Sequence, residues 1–87
     1  MIHKILKVKA KNFKLTCRFE DGAVVSYDMK GFLQEESGPM LDSLKKKSFF
    51  EKAFIESGVV NWPNGYDICS NLIYRDGILL EKRKSAA

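Results

Sequence analysis

The chain opens on a strict alternation. Leu6, Val8 and Ala10 fall on one side of an extended segment, and Lys7, Lys9 and Lys11 on the other. That period of two is expected of a half-buried strand. Lys11-Asn12-Phe13 can turn the chain, after which Leu15, Cys17 and Phe19 alternate with Thr16 and Arg18. Glu20-Asp21-Gly22 follows, and Asp-Gly between alternating runs signals a hairpin because both central residues tolerate positive φ. Ala23 to Asp28 is β-branched and aromatic enough for a third strand. Residues 4–29 therefore read as a three-stranded antiparallel meander.

The pattern then changes. Gly31-Phe32-Leu33 suits a short helical turn, Gly38-Pro39 breaks the chain, and Met40, Leu41 and Leu44 sit at helical spacing. Ser48 with Glu51 three residues later makes a capping box. Phe50, Ala53 and Phe54 would share one face of a helix running to about Glu56, closed by Ser57-Gly58. Val59 to Trp62 reads as a fourth strand. Pro63-Asn64-Gly65 is a turn, with Pro63 suited to its second position and Gly65 to its last. Tyr66-Asp67-Ile68 resumes extended structure, and Ser70 can cap a short helix bearing Leu72, Ile73 and Tyr74. After a turn at Asp76-Gly77, Ile78-Leu79-Leu80 is either a last strand or an apolar arm. The end, Ser85-Ala86-Ala87, is expected to fray. Together these elements predict a small α+β two-layer domain. It has an antiparallel β-meander with a helix packed on one face and a C-terminal element of strand, turn and short helix. The expected core is Leu6, Val8, Leu15, Cys17, Phe19, Val25, Phe50, Phe54 and Trp62.

With 87 residues, 45% of them hydrophobic and 30% charged, the chain has a globular composition and room for one core only. It is read as a single domain over 1–87, with its core at 4–77 and a C-terminal arm at 78–87. No apolar run approaches the length of a membrane span, and the first residues carry no apolar stretch of the kind export signals need. The expectation is a cytoplasmic chain whose two cysteines stay reduced. Charge adds a direction. Up to Phe19 the chain carries five lysines and Arg18 with no acid, whereas Glu20 to Ser43 is mostly acidic. Lys7, Lys9 and Lys11 share the outward face of strand one, and Arg18 the matching face of strand two. Such a face suits phosphates. Single-strand readers add exposed aromatics for stacking, and here only Phe13 lies near. The plainer reading is that lysines keep a sheet face or edge from sticking to other strands.

Reactive chemistry is sparse. His3 is the sole histidine, and Cys17 and Cys69 lie far apart. No local spacing assembles a metal site, no nucleophile has a positioned base, and the glycines form no phosphate or dinucleotide fingerprint. The expectation is therefore no catalytic residues, no metal, no cofactor and no enzyme activity.

Val59-Val60-Asn61-Trp62-Pro63-Asn64-Gly65-Tyr66-Asp67-Ile68 resembles the signature of a bacterial family known as domain of unknown function 2442. Further matching features are the turn Phe19-Glu20-Asp21-Gly22, the strand ending at Asp28, and Leu41-Asp42-Ser43-Leu44 through Ser48-Phe49-Phe50. Leu72 and Tyr74 of the closing helix match as well, so the resemblance covers roughly 4–77. It implies a small α+β fold with no established activity or cofactor. It also implies genes paired with another small protein in a toxin–antitoxin-like arrangement. Some members add a helix-turn-helix domain; this chain matches the core domain alone. The expected function is a non-enzymatic module that binds a small partner protein, as the regulatory or neutralising half of such a pair. The alternative is a nucleic-acid-binding accessory protein using Lys7, Lys9, Lys11 and Arg18. Trp62, Asn64 and Asp67 have two readings. They either rim a recognition surface, where tryptophan is a frequent hot spot, or serve as core anchor, turn residue and turn-holding carboxylate. Of the two roles for Asp67, the second is expected, with its carboxylate accepting backbone N–H groups that leave the turn.

Overall fold

The computed structural model describes residues 3–82. Three strands form where the alternation places them: β1 (Ile5–Lys11), β2 (Lys14–Phe19) and β3 (Ala23–Asp28). Each pairs antiparallel with the next. The first turn is Asn12-Phe13 alone, both at positive φ (51° and 62°), a geometry whose twist matches the strands it joins. The second is the longer loop Glu20-Asp21-Gly22. Only Gly22 is left-handed there, at φ 91°, and its N–H donates to the Phe19 carbonyl at 3.0 Å. The expected pair of positive φ angles at Asp21-Gly22 is thus corrected to one. The extra loop residue leaves Asp21 in ordinary backbone space, and its carboxylate accepts the Ala23 N–H at 2.9 Å.

β1 departs from its alternation at one point. The register shifts between Ile5 and Lys7, and the extra residue of a bulge reverses the parity before it. Ile5 is consequently buried, and Leu6, expected in the core, stands 53% exposed. The Ile5 N–H donates to the Gly58 carbonyl at 3.0 Å, which ties the start of β1 to the second half of the chain.

Three short helices follow: α1 (Lys30–Glu35), α2 (Pro39–Leu44) and α3 (Lys47–Phe50), burying Leu33, Leu44 and Phe50 respectively. The helix expected from Ser48 to Glu56 lasts one turn. Its N-cap is Lys46, and no side chain caps it, so the Ser48–Glu51 box does not form. The chain makes a hairpin instead, β4 (Phe54–Glu56) and β5 (Val59–Asn61), around Ser57-Gly58 at φ 54° and 79°. Two left-handed residues between β-branched segments are a hairpin device, and here they win over the helical spacing of Phe50, Ala53 and Phe54. Phe54 turns outward and is 42% exposed, leaving the expected core.

β6 (Asp67–Ile68) pairs with β5 to complete a three-stranded sheet in the order β4-β5-β6. The last helix, α4 (Ser70–Asp76), has Cys69 rather than Ser70 as its N-cap. Residues 78–82 resolve the strand-or-arm alternative as a strand, β7 (Ile78–Lys82), which pairs antiparallel with β3. The larger sheet runs β1-β2-β3-β7. The frayed end expected at Ser85–Ala87 lies outside the described residues.

The fold is α+β. Leu15, Cys17, Phe19 and Val25 line the inner face of the larger sheet, with Val8 half-buried beside them. They meet Val60 and Ile68 from the smaller sheet, Trp62 from the turn that follows β5, and Phe50 and Ile73 from helices. Among the described residues, no helix is long and apolar enough to cross a membrane.

Candidate functional site

The Trp62-Pro63-Asn64-Gly65-Tyr66-Asp67 segment is built as a turn fastened at both sides. Trp62 is buried, and its indole Nε1–H donates to the Phe50 carbonyl at 2.9 Å. Its ring lies against Phe50 and Tyr66, with centroids 5.7 and 5.8 Å away. The Gly65 N–H donates to the Trp62 carbonyl at 3.0 Å, with Gly65 at φ 93°. Asn64 fastens the other side. Its Oδ1 accepts the Tyr66 N–H at 3.1 Å, and its Nδ2 donates to the Met40 carbonyl at 3.1 Å. The role expected of Asp67 thus belongs to Asn64. Asp67 is exposed on β6, and among the described residues its carboxylate has no hydrogen bond or ion pair. The physical reason is reach: an Asx side chain bonds the backbone two residues on, which Asn64 does to Tyr66 and Asp67 cannot do backwards into the turn. Asn64→Ala is expected to cost about 1–2 kcal/mol through two lost bonds, while Asp67→Asn stays within about 0.5 kcal/mol of wild type. Urea unfolding of both variants checks this.

The basic residues do come together. Lys7, Lys9 and Lys11 of β1 and Arg18 of β2 are exposed on the outer face of the larger sheet, and Lys14 of β2 joins them. Lys7 stands opposite Arg18, and Lys11 opposite Lys14. Like charges directly opposite across strands destabilise a sheet. None of the five forms an ion pair with another described residue. At the turn end, Lys9, Lys11, Lys14 and Lys30 surround a shallow cavity of about 490 Å³ that Asn12, Phe13, Thr16 and Ser26 also line. Lys14 and Lys30 were not singled out by sequence. The signal for Lys14 was present, since it has the same strand parity as Thr16 and Arg18.

A family model described as protein of unknown function (DUF2442) matches residues 5–78. The chain belongs to this family. No curated protein and no solved structure matches it. The DUF2442 match takes in the whole meander, the Trp62 turn and α4, and stops at the first residue of β7. Residues 79–82 of that strand lie past the matched region. Ile78, Leu79 and Leu80 there are 69%, 57% and 58% exposed. Among the described residues, β7 is hydrogen-bonded on one side only, to β3.

A polar cluster closes the other end of this DUF2442 domain. His3 stacks on Tyr74 with ring centroids 3.7 Å apart, and its backbone N–H donates to Asn71 Oδ1 at 2.9 Å. The Tyr74 hydroxyl donates to Asp21 Oδ2 at 2.6 Å. That bond, with the Ala23 N–H, holds the Asp21 carboxyl below its ordinary range. Cys17 is buried on β2, which pushes its thiol up to about 12 and keeps it protonated; Cys69 is exposed. Among the described residues, no group of three His, Cys, Asp or Glu side chains could hold a metal ion.

Proposed function

We propose that the chain is a non-catalytic interaction module that binds a small partner protein, as the regulatory or neutralising half of a toxin–antitoxin-like pair. The observation that supports partner binding is the unequal treatment of the two edges of the larger sheet. Both edge strands carry a bulge, but β1 also places Lys7, Lys9 and Lys11 along its length, the charges by which proteins blunt an edge against unwanted strands. By contrast, β7 is charged only at its end, at Glu81 and Lys82. β7 has no charge over Ile78-Leu79-Leu80, and all three side chains are exposed. A free apolar edge invites an added strand, whose backbone supplies affinity and whose alternate side chains supply specificity. On this reading a strand of the partner lies against β7.

The test is co-purification at native expression level of the wild-type chain and of a Leu79→Asp/Leu80→Asp variant, with thermal melts of both. The expected result is a small protein retained stoichiometrically by wild type and lost by the variant at an unchanged melting temperature. Equal retention by the variant overturns the reading, as does a wild-type chain that associates only with itself.

A further inference from the structure

The outer face of the larger sheet carries more positive charge than edge protection requires. Edge protection explains lysines on β1, which is an edge strand, but β2 is interior, paired on both sides. Arg18 and Lys14 protrude from it all the same, each directly opposite a lysine of β1. Lys30 adds another cation at the cavity beside the turn. Acids are few on this face. Glu81 lies opposite Val24, and Asp28 lies opposite Lys14 with its Oδ1 accepting the Lys30 N–H at 2.9 Å.

We infer that this face, from Lys7 and Arg18 to the cavity around Lys11 and Lys14, binds the phosphodiester backbone of a single-stranded nucleic acid. Alternate residues of β1 place Lys7, Lys9 and Lys11 roughly 6.7 Å apart along the strand. That is close to the separation of successive phosphates in a stretched single strand. The cations occupy a patch two strands wide, which fits one backbone rather than the two rows of a duplex. Asn12, Thr16 and Ser26 line the cavity with the amide and hydroxyl groups that commonly accompany lysine at phosphate and sugar oxygens. An acidic peptide has the opposite charge too, but extended peptides are held by a free backbone edge, and a sheet face offers none. Phe19 and Tyr27 point inward, so this face has no row of stacking rings, and binding is independent of base sequence.

Fluorescence anisotropy with short labelled oligo(dT) and oligo(U) tests the site. About five neutralised phosphates should weaken binding on the order of 100-fold between 50 and 200 mM salt. A Lys9→Ala/Lys11→Ala/Lys14→Ala variant should bind roughly ten-fold more weakly or worse, with the log–log salt slope flattened by about 2. A control, Lys46→Ala/Lys47→Ala/Lys52→Ala, removes the same charge from the link between α2 and α3, from α3 and from the turn after it, and should bind like wild type. Circular dichroism melts establish that both variants fold, and relief of the opposed lysines leaves the first no less stable than wild type. Equal losses in the two triple variants would reduce the effect to net charge and overturn the site. Tighter binding of a duplex of the same length overturns it, as does equal competition by poly-glutamate.

Discussion

Trp62→Ala is expected to remove about 3–5 kcal/mol of stability, the usual range for deleting a large buried aromatic. Domains of this size have about 5–15 kcal/mol in total, so the variant should be largely unfolded or close to it. Two separate contributions meet at this side chain. The ring fills the space between Phe50 and Tyr66, and the indole N–H is the partner of the Phe50 carbonyl. Trp62→Phe separates them. It keeps most of the ring and leaves the Phe50 carbonyl with only the longer bond from the Ala53 N–H at 3.3 Å, a loss of about 1 kcal/mol. Urea unfolding followed by far-ultraviolet circular dichroism measures both, since Trp62 is the only tryptophan and its fluorescence goes with it. A Trp62→Ala loss below about 1 kcal/mol, no more than an average substitution, would mean that the turn is anchored elsewhere.

Gly77→Ala is expected to unseat β7. Gly77 joins α4 to that strand at an ordinary φ of −76°, so a side chain is excluded by space and not by backbone conformation. A methyl group there would meet Val25 Cγ1 and would lie 2.7 Å from the Ile73 carbonyl oxygen and 2.9 Å from that of Ser26. The two oxygens belong to α4 and β3, and neither yields without moving its element. Overpacking of this kind costs about 1–3 kcal/mol. The cheapest relief is to break the pairing of Ser26 with Ile78. Hydrogen exchange should therefore show loss of protection over 78–82 while β1 and β2 stay protected. Uniform protection across all four strands would show that the junction has room.

What sequence could reveal depended on how local the governing force was. Alternation placed the three strands of the meander because each strand buries one face, and a slip by one residue would expose the whole set. Leu6 failed because a bulge is a pairing event, invisible until β1 meets β2. Phe54 failed because the helical spacing of Phe50, Ala53 and Phe54 competed with a Ser57-Gly58 hairpin turn, and only packing decides such a contest. At the turn, Trp62 was legible as an anchor, whereas the fastening role fell to Asn64, whose second bond reaches Met40, far off in sequence. The basic face was legible from parity on β1, and Arg18 with it. Lys30 reaches the same cavity only through the fold.

The pairing of β3 with β7 also sets an order of events as the chain is made. The meander closes small loops, so its contacts can form soon after its residues emerge. Ser26 and Ile78, by contrast, are 52 positions apart (78 − 26), and long-range pairs form late. Until residues 78–82 arrive, a folded meander displays the bare N–H and C=O groups of β3 along Val24-Val25-Ser26. A nascent chain paused in that interval would be the stickiest form of this protein, and a chaperone or a neighbouring nascent copy would meet β3 before β7 does.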